Sequence, residues 1–450
     1  MNGTKHETED NSPKKVNPEK TQQQQDGSDE DEPCTSSNTN ATTSWYQSLS
    51  DSLNRTKIHV VEVTPNLGQM KQKVWSKWNH LKYNGRWIAD RKSEYDKPGT
   101  LTLLGLDYEI SGDEKAANSF DEFFDDYYSR IYFTYRTHMT PFEGTEITSD
   151  CGWGCMIRTV QMMIAQAIVL SRLGRGWRYC PSDQVSPRIL REQLQIIRLF
   201  EDTPAAPLSI HRLLTFCQLP DQAGQWFTPS ACVQLFSRAV SQSISPLLSS
   251  FRIHLCSDGR LSVPQLDRLS GNWTRQIILF VSLRLGTSIV NEIYYPHIRH
   301  FLSQPNCLGI GGGKKDHSLY FIGHYLQKLI YIDPHVAQKY SPLLDFDDEE
   351  DKFREQLSLF HCESLSKMDM EKMNPSCCVG FLFRKKQELD NVVKYLNLHQ
   401  VIDVDLGPGE GAKRTKDPLF TVFYSDVSLT QQPSIEEQGC SQEINGFEVL

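Results

Sequence analysis

The sequence lacks a hydrophobic run long enough to cross a membrane. Its longest apolar stretch, near Ile277–Leu283, is far shorter than the roughly 18 residues that a membrane-spanning helix needs. The N-terminal residues also lack the apolar segment of a secretory signal peptide. These two absences predict a soluble protein of the cytoplasm.

The sequence has no excess of basic residues. Its 47 Lys and Arg are outnumbered by 56 Asp and Glu, which gives a net charge of −9. No basic stripe of the kind that binds a phosphate backbone is present, which argues against nucleic acid as a partner. Much of the negative charge lies in residues 1–43, which hold 4 Lys and Arg, 9 Asp and Glu and no aromatic residue. That composition predicts a disordered acidic tail.

The 12 cysteines follow no repeated spacing, and no Cys-x-x-Cys pair is present. Scattered thiols of this kind are typical of a protein in a reducing compartment. His297 and His300 are three residues apart, a spacing with which two imidazoles can bind a metal on a helix, but no third ligand lies near them in the sequence. We therefore expect neither a metal nor an organic cofactor.

The apolar residues between the two polar ends predict one enzyme-sized folded domain. Hydrophobic residues make up 38% of the 450-residue chain, which is enough for a large core. We place this domain at residues 44–425 and a flexible polar tail at residues 426–450. Helical patterns come first and β-type runs follow, around Ile277–Leu283 and Ser318–Ile332, and this order predicts the α+β fold class. The helices predicted in the middle of the chain are Ile189–Phe200, Ile210–Cys217 and Ser230–Leu248.

The segment Ser149–Met156 places Cys155 where a glycine-containing turn runs into an apolar helix. Aligned N–H groups at a helix start stabilise a thiolate, and Gly152 and Gly154 allow a tight turn beside a substrate carbonyl. These features make Cys155 a candidate nucleophile, although a free cysteine is more often a small buried apolar residue.

Two helix boundaries near this segment can be predicted from local patterns. Ser119-Phe120-Asp121-Glu122 has the pattern of a capping box and predicts a helix that begins at Ser119. The apolar helix that follows Cys155 is expected to end at Gly174.

A distant segment, Asp333-Pro334-His335, supplies the side chains that a thiol nucleophile needs. Its two polar residues are two apart, so on an extended segment they point to the same side. An aspartate can hold one ring nitrogen of the histidine while the other exchanges a proton with a thiol. Asp-Pro is also a common turn starter, so the motif on its own has little specificity.

The run Gly309–Lys315 superficially resembles a phosphate-binding loop. It lacks the four-residue spacer, the Ser or Thr after the lysine and the following helix, so nucleotide binding is disfavoured. We interpret it as a mobile loop that gates the site.

Five segments together resemble the autophagins, the cysteine proteases of autophagy. They are Phe133–Arg136, Thr148–Met156, Gly224–Trp226, Tyr320–Gly323 and Tyr331–His335. The resemblance extends over roughly residues 70–425. It implies a papain-like cysteine protease fold with a small auxiliary helical subdomain.

The resemblance also implies roles for individual residues. Cys155 would be the nucleophile, His335 the base, Asp333 its orienting acid, and Tyr135 a hydroxyl near the oxyanion. Trp226 would cover the glycine of the substrate. Leu308–His317, with Gly312 and Gly313 at its centre, would be a mobile loop that clamps the substrate. In this loop the family usually has a branched aliphatic residue and a proline, where this sequence has Gly311 and Lys315.

The implied substrates are the ubiquitin-like modifiers of autophagosomes, of the GABARAP type. The enzyme would cut after a glycine near the C-terminus of the modifier before lipid conjugation, and later release the modifier from phosphatidylethanolamine at the membrane. The terminal Phe447-Glu448-Val449-Leu450 resembles the short motif that docks on such modifiers, with Phe447 and Leu450 as its anchors.

Cys151 lies four residues before the proposed nucleophile, a position that is often Thr in the family but Cys in its C- and D-type members. Together with the long acidic tail it indicates that branch. Two thiols this close also motivate the hypothesis of a reversible oxidative switch.

Two alternatives remain open at this stage. One is a thiol hydrolase for another ubiquitin-like protein. The other is a non-catalytic or autoinhibited adaptor that binds modifiers through its C-terminal motif.

Overall fold

The structure, a computed structural model, describes residues 97–425 except 111–113, 180–185, 218–221, 315–316, 346–349, 408–414 and 416. The predicted tails at residues 1–43 and 426–450, including Phe447 and Leu450, lie outside the described residues.

Helices and strands alternate irregularly along the described chain. The helices are α1 Glu114–Tyr128, α2 Cys155–Arg172, α3 Pro187–Arg198, α4 Ile210–Leu214, α5 Pro229–Gln242, α6 Pro246–Ser249, α7 Val263–Leu269, α8 Tyr295–Leu302, α9 Glu350–Ser358 and α10 Lys386–Leu398, with 3₁₀ turns at Glu292–Tyr294 and Met370–Lys372. The strands are β1 Gly99–Leu103, β2 Leu106–Ile110, β3 Tyr135–Thr137, β4 Phe251–Cys256, β5 Arg260–Ser262, β6 Gln276–Arg284, β7 Cys307–Lys314, β8 His317–Tyr325, β9 Lys328–Ile332, β10 Ala337–Lys339, β11 Ser366–Asp369, β12 Ser376–Phe383, β13 Asp403–Asp405 and β14 Thr421–Phe423.

A nine-stranded mixed sheet forms the centre of the fold. Its main path runs β11-β9-β8-β7-β12-β6-β4, and the β1–β2 hairpin joins through β1 on β8. The pairs are antiparallel except β4 with β6, which is parallel. Two short parallel sheets lie apart from it, β10-β3 and β13-β14-β5. The mixture of helices with a mainly antiparallel sheet confirms the predicted α+β class.

The central sheet is buried on both faces, as the alternation of its side chains requires. On β6, Ile278 and Phe280 join one apolar cluster, whereas Ile277 and Leu279 join the other. Helix α2 covers the first face, and its residues from Cys155 to Leu170 are all buried. Helices α8 and α10 contribute apolar side chains to the second face. Because α2 begins at Cys155, the packing of its apolar surface fixes that residue at one end of the sheet.

Two glycines let α2 lie close to the sheet. A Cβ at Gly311 of β7 would stand 3.1 Å from Met163 Sδ, and one at Gly380 of β12 would stand 2.9 Å from Met163 Cε. Any larger side chain at either position would push the helix outward or force Met163 to move.

The predicted end of α2 is confirmed. Leu173 is the C-cap, and Gly174 adopts a φ of 81° while its N–H bonds the carbonyl of Val169. A glycine enters this left-handed conformation with little steric cost.

Two other predicted boundaries are wrong. Helix α1 is already formed at Glu114, so Ser119 lies inside it and not at its start; the preceding Glu, Lys and Ala residues have high helix propensity and extend the helix toward the N-terminus. The predicted single helix Ser230–Leu248 is two helices, because Ser243 and Ser245 are extended and Pro246 begins α6.

Candidate active site

Cys155 is the first residue of α2 and is only 1% exposed. The turn before it closes on Asp150, whose carbonyl accepts the N–H groups of Trp153 at 3.3 Å and Gly154 at 2.9 Å. Gly152 in this turn has a φ of 92°, a conformation that a glycine adopts without strain. The turn therefore presents the thiol at the N-terminal end of the helix, where the peptide dipoles favour an anion.

Four groups are directed at the sulfur of Cys155. The indole Nε1–H of Trp226 donates to it over 3.3 Å. The imidazole of His335, the hydroxyl of Tyr135 and the backbone N–H of Ser318 also lie near enough to act on its charge. Burial on its own raises the pKa of the thiol, but the imidazole of His335, with the Ser318 and Trp226 donors, holds that pKa below its usual value.

His335 is held on its far side by Asp333. Its Nδ1 lies 2.5 Å from Asp333 Oδ1, and the same oxygen accepts the backbone N–H of His335 at 3.1 Å. Burial lowers the pKa of His335, but the Asp333 carboxylate and the Cys155 thiol raise it to about 9. Burial acts to raise the pKa of Asp333, and the positive imidazole outweighs it, so that pKa lies below its usual value. The imidazole therefore bridges the thiol and the carboxylate.

Tyr135 is tied to the segment that carries His335. Strand β3 pairs with β10 in parallel register, with Tyr135 opposite Ala337, and the N–H of Tyr135 donates to the carbonyl of Pro334 at 3.0 Å. Burial, with the neighbouring Cys155 and Asp150, raises the pKa of the phenol well above its usual value. Tyr135 thus stays protonated and can act as a hydrogen-bond donor.

A buried network of charges holds the cysteine turn against β3. Asp150 accepts the backbone N–H of Arg136 at 2.6 Å and pairs with Arg158 Nε at 2.8 Å. Arg158 also reaches Asp202 at 2.9 Å, and Arg136 lies 3.8 Å from the same carboxylate. Two arginines and two aspartates balance in charge, as charges in a buried site require. The network connects Tyr135, through its neighbour Arg136, to the turn before Cys155.

The arrangement contains the groups of nucleophilic catalysis by a thiol. A Cys155 thiolate can attack a carbonyl carbon, and His335 can pass a proton to the leaving group. The Tyr135 hydroxyl and backbone N–H groups at the start of α2 are donors of the type that stabilises an oxyanion. The sequence thus named four side chains, Cys155, Asp333, His335 and Tyr135, that the structure brings together.

The predicted substrate-binding residues lie in different surroundings: one is partly exposed beside the sulfur, and two are buried in a strand. Trp226 is 44% exposed and directly contacts the sulfur. Gly312 and Gly313 are buried in β7, between β12 and β8. The interpretation of Leu308–His317 as a mobile loop is wrong for residues 308–314, which form a central strand, while residues 315–316 are outside the described part. Glycines occur there because neighbouring atoms leave no space: a Cβ at Gly312 would stand 3.1 Å from Cys377 Cβ, and one at Gly313 only 1.8 Å from the carbonyl oxygen of His317.

Three contributions were missed by sequence reasoning. The Ser318 donor is a backbone group, which no residue type signals. His317, whose ring centroid lies 4.8 Å from that of His335, was the last residue of the predicted clamp loop and was given no role of its own. The Asp150–Arg158 pair did have a signal, since an arginine within an apolar helix indicates a buried partner.

Cys151 is buried in a small cluster with Tyr135, Cys155 and Ala337. This placement is compatible with the oxidation hypothesis, which remains a prediction.

Outside this site, the His297–His300 pair forms no metal cluster. His300 Nδ1 lies 3.0 Å from the hydroxyl of Tyr395, and its ring stacks on His399. Across the described ranges, no group of three or more His, Cys, Asp or Glu side chains could hold a metal ion. Nor does any helix in those ranges have the length and apolarity to traverse a membrane.

Comparison with known proteins gives consistent matches. Residues 120–395 match the peptidase C54 catalytic domain. The chain is 39% identical to "Cysteine protease atg-4.2" of Caenorhabditis elegans over 407 residues, which cover 84% of this chain and 78% of that protein. It is 31% identical to "Cysteine protease ATG4D" of Xenopus laevis, covering 73% and 77%, and 30% identical to "Cysteine protease ATG4C" of Homo sapiens, covering 84% and 95%.

Proposed function

The chain belongs to the peptidase C54 family of papain-like cysteine proteases of autophagy, and we propose that it cleaves ubiquitin-like modifiers of the GABARAP type after a C-terminal glycine. The observation that carries this proposal is the thiol of Cys155 at a helix start, with its pKa lowered by His335, whose Nδ1 lies 2.5 Å from Asp333. The resemblance to C- and D-type members stated from the sequence agrees with the relatives named ATG4C and ATG4D.

In the proposed reaction, Cys155 attacks the carbonyl carbon of the glycine and His335 gives its proton to the leaving amine. Asp333 orients His335, and Tyr135 with backbone N–H groups stabilises the oxyanion. Water then hydrolyses the thioester and releases the modifier with its terminal glycine exposed. Trp226 is partly exposed and its N–H donates to the thiol, which supports a role in covering that glycine.

The same chemistry would apply to a modifier conjugated to phosphatidylethanolamine, because the amide to be cut again follows the glycine. We propose both activities, processing and delipidation, for a protein of the cytoplasm that acts at autophagosomal membranes. Gly312 and Gly313 would contribute through the shape of β7 rather than as a moving clamp. The proposed catalytic domain is residues 44–425, with the tail at residues 1–43 as an inhibitory segment.

Phe447 and Leu450 would provide a second contact with the modifier. Deleting residues 447–450 should weaken binding of the modifier while leaving turnover at saturating substrate unchanged. Equal affinity of the deleted and complete chains would rule this docking role out.

The test of the proposed activity is cleavage of a GABARAP-type precursor, which carries residues beyond its glycine, by the full chain under reducing conditions. If the full chain cuts after the glycine and the Cys155→Ala variant does not, the result would support the protease activity, the nucleophile and the substrate class together. Cleavage of other ubiquitin-like precursors, measured in parallel, tests the alternative that the substrate is a different modifier. If the full chain binds the precursor without cutting it, removal of residues 1–43 distinguishes autoinhibition from an adaptor.

A further inference from the structure

The imidazole of His335 has two aromatic neighbours, Tyr135 and His317. The ring of Tyr135 meets it edge-on, with centroids 5.3 Å apart and an interplanar angle of 87°. The ring of His317 lies 4.8 Å away at 48°. His335 itself is 3% exposed, so these contacts are made inside the protein.

His317 reaches this position through the hairpin of β7 and β8. It is the first residue of β8 and pairs with Lys314, and it directly precedes Ser318, whose backbone N–H helps to lower the pKa of the thiol. Gly313 makes the close approach possible, because a Cβ there would overlap the carbonyl oxygen of His317. One hairpin therefore places both a donor to Cys155 and a ring beside His335.

The ring of His335 needs more than one hydrogen bond to be fixed. Asp333 holds Nδ1, but rotation about the bond that joins the ring to Cβ changes the direction of the other nitrogen, which must face Cys155. Contacts between aromatic faces and edges restrict such rotation because each ring blocks the path of the other.

We propose that His317 is a positioning residue whose ring keeps the imidazole of His335 turned toward Cys155. The proposal rests on the proposed function, since it assigns His335 as the base. His317 also contributes electrostatically to the lowered pKa of Asp333, which agrees with a place beside the pair. His317 acts here through His335 and is assigned no contact with the substrate.

The experiment compares His317→Ala with His317→Phe, which restores a ring without the nitrogens. The control is His324→Ala, which removes a histidine of the same strand outside the site. Steady-state cleavage of the GABARAP-type precursor is measured together with the rate at which iodoacetamide alkylates Cys155, read on the Cys155 peptide by mass spectrometry.

We expect His317→Ala to lower kcat about tenfold while KM stays within about twofold, since small displacements of a reacting group reduce the rate strongly. Alkylation of Cys155 should slow in parallel, because a turned His335 supports the thiolate less well. His317→Phe should recover most of both rates, and His324→Ala should retain them.

Three outcomes would overturn the proposal: an unchanged kcat in His317→Ala, a rise in KM with no fall in kcat, or a Phe variant as slow as the Ala variant. If His317→Ala does not fold, His317→Asn, polar but without an aromatic ring, takes its place. The alkylation rates test His317 even if the wild-type chain cuts no precursor, so failure of the proposed substrate is distinguishable from failure of this inference.

Discussion

At the residue scale, Cys155 and His335 act on each other's protonation in opposite directions. Burial would leave both neutral, since it raises the pKa of a thiol and lowers that of an imidazole. Instead the pKa of Cys155 is lowered and that of His335 is raised to about 9, because each charge is stabilised by the other and Asp333 supports the imidazolium. A thiolate paired with an imidazolium is therefore favoured over a range of pH bounded above by about 9.

This thiolate–imidazolium pairing predicts that activity falls at alkaline pH. As pH rises through about 9, His335 loses its proton and kcat/KM should fall. Asp333→Asn removes the carboxylate that contributes most to raising that pKa, so the limb should move to lower pH and kcat should fall by about 10²–10⁴-fold. The measurement is a pH profile of precursor cleavage.

The control for this profile is Asp369→Asn. Asp369 is a surface carboxylate paired with Lys328 and Lys372 and has no part in the site. An alkaline limb that stays in place in Asp333→Asn would contradict the assignment of Asp333 as the group that charges His335.

At the scale of elements, the hairpin of β7 and β8 differs most from the sequence-based prediction, which placed a mobile loop at residues 308–317. Its glycines fit close contacts with β12, α2 and the opposite strand, where a Cβ would meet neighbouring atoms. A substitution in it should therefore first affect stability and the geometry around Cys155.

Gly313→Ala tests this view of the hairpin. The new Cβ would stand 1.8 Å from the carbonyl oxygen of His317 and 3.0 Å from Cα of Ser318, so the strands must separate. We expect a loss of about 1–3 kcal/mol in the free energy of unfolding, together with slower alkylation of Cys155 as the Ser318 donor shifts. Thermal unfolding and the alkylation rate are the measurements.

Gly176→Ala is the matched control, because a Cβ there would have no atom within 4 Å. If Gly313→Ala kept full stability and altered only the KM for precursor, the earlier interpretation of a moving substrate clamp would be favoured instead.

The elements that could be predicted are those whose signal is local. Helix α2 has a dense apolar pattern and a terminal glycine, and the four side chains of the candidate site carry recognisable chemistry. The strand β7 could not be predicted from its residues, since a glycine run has low β-propensity and its place in the sheet comes from tertiary packing. The Ser318 N–H and the ring of His317 depend on the same packing and were missed with it.

At the scale of the whole molecule, buried charges join segments that are far apart in the sequence. Arg158 of α2 pairs with Asp150 before the helix and with Asp202 after α3. A second buried carboxylate, Asp126 of α1, is contacted by three arginines. Loss of Arg158 would leave Asp150 inside the protein without its guanidinium partner, and loss of Asp126 would leave the buried Arg130 without its carboxylate.

Arg158→Met should accordingly be among the most damaging substitutions of α2. It leaves Asp150 without its guanidinium and Asp202 with only Arg136, 3.8 Å away, at a cost of about 3–5 kcal/mol in the free energy of unfolding. Arg172→Met, at the exposed end of the same helix, removes a surface pair with Glu192 and should cost no more than about 1 kcal/mol. Urea denaturation of both variants gives the comparison, and equal losses would show that the buried network contributes little.

The indole of Trp226 also provides an intrinsic fluorescent probe of this site. The Trp226 side chain is 44% exposed while its N–H donates to the sulfur of Cys155, so a substrate bound beside it or a modification of the thiol changes the surroundings of a fluorophore. The difference in emission between the protein and its Trp226→Phe variant would isolate this signal from the other tryptophans. Substrate arrival and acyl-enzyme turnover could then be followed in real time by stopped-flow fluorescence, with no label attached to either partner.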